Sequence, residues 1–138
     1  MSARSKARKR AMDMLYAADV LRQPLEQIRE TEVARAIAEP ERKASWLYAN
    51  EIVRGIIAHA VEIDERIVSV SESWSIDRMP NVDRSVLRIA VWEMFYNDEV
   101  PTEVVIDEAI NLAKEYSTAE SGSFVHGILG KIADLKAL

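Results

Sequence analysis

Four prolines, Pro24, Pro40, Pro80 and Pro101, cut this 138-residue chain into segments whose apolar side chains recur at helical spacing. A proline removes a backbone donor and biases the residue before it away from helix, so Gln23-Pro24 and Glu39-Pro40 read as helix ends. No segment shows the strict alternation of a half-buried strand bounded by hairpin turns. The predicted class is all-α, with six or seven helices.

The first helix, predicted from Arg4 to Leu21, joins two opposed chemistries. Its opening turns hold Arg4, Lys6, Arg8, Lys9 and Arg10 with no acid among them, and Ala11, Met14, Leu15 and Ala18 then line one apolar face. Tyr16 falls off that face, on the side of Lys9, and a ring flanked by cations suits a base and its phosphate. The same cations would also serve as a plain solubilising tail.

A second helix is built on Leu25, Ile28, Val33, Ala36 and Ile37. The longest is predicted from Glu41 to about Ser71, with a break near Glu62. Its face is Ala44, Tyr48, Ile52, Ile56, Ile63, Ile67 and Val70, widened by Trp46, Leu47, Val53 and Ile57. Ser73 to Asn81 reads as a loop, and Val82 to Tyr96 as a central, largely buried helix. Thr102 is a predicted N-cap for a helix carrying Val105, Ala109, Leu112, Ala113 and Tyr116. Ser117 to Gly122 is a polar loop, and Ser121 is expected to cap a last helix whose core face is Val125, Ile128, Leu129, Ile132 and Leu135.

The chain is long enough for one domain with a real core, and 49% hydrophobic residues favour folding over disorder. Its formal charge of -5 argues at first against a polyanionic partner, but the first ten residues hold five of the 18 cations and none of the 23 acids. A basic end on an acidic body would orient a polyanion toward that end and leave the body for a basic protein. The absence of cysteine excludes disulfides and thiolate metal sites. No apolar run approaches the roughly 20 residues of a membrane span, and the basic start leads into an amphipathic helix, so a cytoplasmic protein is expected.

Catalytic patterns are missing. His59 and His126 are far apart and neither has a second histidine at ligand spacing, and there is no glycine-rich phosphate loop, nucleophile elbow or dinucleotide fingerprint. Neither an enzyme nor a bound cofactor or metal is expected. Trp46, Trp74 and Trp92 read as core residues. Ser121-Gly122-Ser123-Phe124 places an aromatic in the first turn of the last helix, where backbone N–H groups could receive a phosphate. Phe124 suits a core position and a base-stacking position alike.

Taken together, three stretches resemble the NusB transcription antitermination family. They are the basic start leading to Ala11-Met12-Asp13-Met14-Leu15-Tyr16, then Val82-Asp83-Arg84-Ser85-Val86-Leu87-Arg88-Ile89-Ala90 with Glu93, and last Val100-Pro101 through Ile106-Asp107-Glu108-Ala109-Ile110 and Leu112-Ala113-Lys114 to Ser121 and Phe124-Val125-His126-Gly127-Ile128-Leu129. The resemblance implies a single domain over residues 1–138, with a basic arm at 1–10 and two small helical bundles packed across each other. It implies binding of the boxA element of ribosomal RNA leaders together with NusE, a ribosomal protein, and recruitment of other Nus factors to RNA polymerase. By the same resemblance Arg4, Lys6, Arg8, Lys9 and Arg10 meet RNA, Tyr16 lies near the RNA and partner surface, Phe124 stands beside the RNA with Glu120 and Ser121 on the adjoining loop, and Asp83 matches a position linked to NusE. Two positions depart from the pattern: Ser123 stands where many relatives have a basic residue and His126 where they have asparagine. Family members occur as monomers and homodimers. An accessory domain like that of some ribosomal RNA methyltransferases is a further possibility, against which stands the end of the chain at Leu138; a helical protein-interaction module is another.

Overall fold

The computed structural model describes residues 2–72 and 74–138, so Ser73, the expected first residue of the loop before Asn81, lies outside the described residues. The described residues form seven α-helices and no strand: α1 (Ala3–Leu21), α2 (Leu25–Ala38), α3 (Lys43–Ala58), α4 (Ala60–Val70), α5 (Asn81–Tyr96), α6 (Thr102–Tyr116) and α7 (Ser121–Lys136). Short 3₁₀ turns occupy Pro40–Arg42 and Ile76–Arg78. The helices gather into two compact units, one ending at Ala58 and the other running from His59 to Leu138.

In the first unit α1 packs mainly on α3. Ala7 and Ala11 are fully buried on α1 beside Met12, Met14 and Leu15, and small side chains at such positions let two helix backbones approach closely. The Ser2 hydroxyl accepts the Ser5 amide at 3.1 Å and caps α1. The cationic turns are therefore part of an ordered helix rather than a loose arm. At the other end Arg22 takes a left-handed conformation with φ 53°, and the Arg22 and Gln23 amides both reach the Ala18 carbonyl. Glycine is the residue that adopts this geometry without steric cost. Arg22→Gly should stabilise the first unit by roughly 0.5–1 kcal/mol, read as a higher urea midpoint.

The predicted stripe of α2 is only partly used. Ile28 is its one buried residue, while Val33 is exposed and Ile37 is 78% exposed. Val33 and Ile37, with Met14, Trp46 and Leu47, line an open apolar groove of about 410 Å³. On the first turn of α2, hydrogen bonds from the Arg29 guanidinium hold the exposed Glu26 carboxyl below the usual carboxylate range.

The expected long third helix is two helices, and the break falls at His59 rather than near Glu62. His59 leaves helical geometry with φ -123° and ψ 26°, and its ring stacks on Tyr96 with centroids 3.9 Å apart. Ala44, Leu47 and Ile57, expected on the apolar arc, are exposed, and Ser45 is buried in place of Ala44. The longest helix is α1.

The second unit is organised around α5, whose Val86, Leu87, Ile89, Ala90, Val91, Trp92 and Met94 are buried where α4, α6 and α7 pack. Arg88 grips Asp64 of α4 with two hydrogen bonds of 2.9 and 3.0 Å, a bidentate geometry that fixes one helix against the next. Thr102 begins α6 but does not cap it; Pro101 occupies the cap position and its carbonyl takes the Val104 and Val105 amides. Tyr116 and Leu135 are exposed rather than part of the core.

Candidate functional site

On α1 the cations are not equivalent. Helical spacing puts Lys6, Lys9, Asp13, Tyr16 and Val20 on one outward stripe. Lys6 is exposed, Lys9 holds Asp13 four residues on, and Tyr16 is 43% exposed. Arg4 lies over the Tyr48 ring at 5.0 Å and Arg10 over the Trp46 ring at 4.1 Å, with Arg10 also donating to the Ser45 hydroxyl at 3.0 Å. These two guanidiniums are oriented by α3, and each ring contact contributes about 0.5–2 kcal/mol. Arg8 is different: it is 3% exposed. Expected to meet RNA, Arg8 is enclosed by the fold here, whereas Lys6 is presented on the surface.

In the second unit the residues singled out around Phe124 come together. Asp83 on α5 is 2% exposed, and its two carboxylate oxygens accept hydrogen bonds from Ser117 at 2.5 Å and Ser121 at 2.9 Å. The Ser121 hydroxyl in turn accepts the Thr118 amide at 3.1 Å. One carboxylate thus ties α5 to both ends of the short turn between α6 and α7. Ser121, expected to cap α7, is the buried first residue of that helix, and its hydroxyl closes the preceding turn instead. Asp83 likewise offers no surface for direct partner contact, because both its oxygens face inward onto the serines.

The turn leaves Glu120 and Ser123 exposed and Phe124 half-buried. Of the amides near the start of α7, those of Ser121 and Phe124 are occupied by the Thr118 and Glu120 carbonyls. Gly122 is buried, and a Cβ there would lie 2.9 Å from Cγ and 3.1 Å from Cε of Lys114. The lysine stem therefore lies along the first turn of α7, bringing a cation to the neighbourhood where Ser123 supplies none.

Trp74 was expected in the core, yet it is 48% exposed, with its ring centroid 6.5 Å from that of Phe124. The signal for exposure is its setting, since Ser71, Glu72, Ser75 and Asp77 surround it with polar residues and no helical period runs through it. Trp46 and Trp92 are buried as expected. Among the described residues no group of three or more His, Cys, Asp or Glu side chains could hold a metal, and no helix is long and apolar enough to cross a membrane.

The profile of the NusB family matches residues 5–134. The transcription antitermination protein NusB of Clavibacter michiganensis is 51% identical over 137 residues, covering 99% of this chain and all of the relative. Among solved structures, NusB of T. maritima superposes with a TM-score of 0.84 at 38% identity, over 95% of this chain and 90% of that one. A structure of the antitermination factors NusB and NusE in complex with double-stranded RNA matches with a TM-score of 0.82 at 28% identity, over 98% of both chains.

Proposed function

Because the chain belongs to the NusB family of transcription antitermination proteins, a non-enzymatic family, we propose that it holds the boxA element of a nascent ribosomal RNA leader jointly with NusE. Through that pair it engages other Nus factors and RNA polymerase in the cytoplasm. The observation that carries this is the likeness, over nearly the whole of both chains, to a NusB captured with NusE and RNA.

Each unit supplies one kind of contact. In the first, Lys6 and Lys9 on the outward stripe of α1, with Arg4 and Arg10 beside it, meet phosphates, and Tyr16 farther along the stripe meets RNA or NusE. In the second, Phe124 stacks on a base, with Glu120 at its edge and Lys114 near a phosphate. Asp83 and Ser121 serve partner and RNA binding indirectly, by setting the turn that presents Phe124. Arg8 is assigned to folding rather than to RNA. The acidic remainder of the chain suits a basic ribosomal protein.

With Arg8 buried, Lys6, Lys9, Arg4, Arg10 and Lys114 leave about four or five phosphates neutralised, so the log-log salt slope for single-stranded RNA should be roughly -2.8 to -3.5. Fluorescence anisotropy of boxA RNA against a scrambled RNA of equal length, with and without NusE and across salt concentrations, tests this. Tighter boxA binding that NusE strengthens is expected, and Lys6→Ala with Lys9→Ala should flatten the slope by about 0.7 per lysine that meets a phosphate. Equal, weak binding to both RNAs in either condition would overturn the assignment.

A further inference from the structure

We infer that Trp74 and Phe124, with Lys131, form a nucleotide-binding site in the second unit, in which an unpaired RNA base stacks on the two-ring surface and its phosphate meets the lysine. This rests on the RNA-binding function proposed above and adds to it a site on the loop between α4 and α5.

An indole left about half in water is an unusual use of the largest apolar side chain, and exposed apolar surface that is not scattered singly marks contact sites. Here it is paired. The Trp74 and Phe124 rings are tilted by 60° with centroids 6.5 Å apart, so they are neighbours without being stacked face to face. The Trp74 backbone is anchored: the Ser71 hydroxyl donates to its carbonyl at 2.6 Å, which reduces the ordering cost of stacking. Lys131 lies seven residues after Phe124 on the same face of α7, and its ammonium is 3.8 Å from Glu72, two residues before Trp74. That loose, exposed pair brings a cation to the segment that carries Trp74 and is readily exchanged for a phosphate. Aromatic faces beside a cation are the arrangement that takes a nucleotide of single-stranded nucleic acid without regard to base identity. A duplex hides its base faces, so the occupant is an unpaired base.

The arrangement also supplies its own optical readout, because Trp46 and Trp92 are buried and Trp74 is the exposed indole. Titration of the full-length protein with unlabelled single-stranded boxA RNA should quench tryptophan emission, and most of that quenching should vanish in Trp74→Phe. Trp74→Ala should weaken RNA binding by roughly five- to fiftyfold, with Trp74→Phe restoring most of it. Lys131→Ala should flatten the salt slope by about 0.7. Circular dichroism establishes that each variant is folded, and the exposed ring and lysine are positions where folding tolerates change. Wild-type affinity in folded Trp74→Ala, or undiminished quenching in Trp74→Phe, would overturn the site while leaving RNA binding itself intact. Failure of the wild-type protein to bind the RNA, with or without NusE, would overturn the function and the site together.

Discussion

Asp83→Ala should destabilise the second unit by about 2–4 kcal/mol, since it removes the acceptor of two serine hydroxyls, and hydrogen bonds to a charged group contribute roughly 1.5–3 kcal/mol each. Part of that is offset because a carboxylate no longer has to be buried. The Ser121 hydroxyl is itself buried, so water does not replace what is lost. Asp83→Asn keeps one carbonyl acceptor and a serine can rotate to receive its amide, so about 1 kcal/mol is expected there. Urea denaturation followed by far-ultraviolet circular dichroism measures both, and an unchanged midpoint for Asp83→Ala would show that the cluster does not hold the turn. Folded Asp83→Asn should bind RNA somewhat more weakly, because the turn that presents Phe124 is looser.

Phe124→Ala should weaken boxA binding by about 1–3 kcal/mol, or roughly five- to 150-fold. No charge is removed, so the salt slope should stay as in the wild type, in contrast to the α1 lysine variants. Phe124→Tyr keeps a stacking face and should retain most of the affinity. Equal anisotropy curves for wild-type and folded Phe124→Ala would remove this ring from the RNA site.

Periodicity is enough to place most of the helices, because the four prolines and the polar turns interrupt an otherwise continuous apolar pattern. It misplaces the break in the third segment because His59 sits within an apolar period, and only its stacking on Tyr96 shows why the backbone turns there. The α2 stripe is visible in sequence, but its exposure is not, since periodicity reports a face without saying whether another helix covers it. The site divides in the same way. Phe124 and the α1 cations are legible as residue types in position, and the polar neighbours of Trp74 signal its exposure, whereas the burial of Arg8 and the inward turn of Asp83 depend on how the helices pack. Arginine and aspartate look like surface groups until a tertiary partner is found, and tryptophan looks like core until none covers it.

Along the turn into α7, residues that hold the fold alternate with residues that face outward. Ser121 and Gly122 are fixed, one by Asp83 and the other by the lysine stem it accommodates, while Glu120, Ser123 and His126 are exposed around Phe124. Changes at the exposed positions alter charge beside the ring at little cost to folding. Substitution there can therefore retune the charge of the proposed RNA-binding surface one residue at a time, without first accumulating stability to spare.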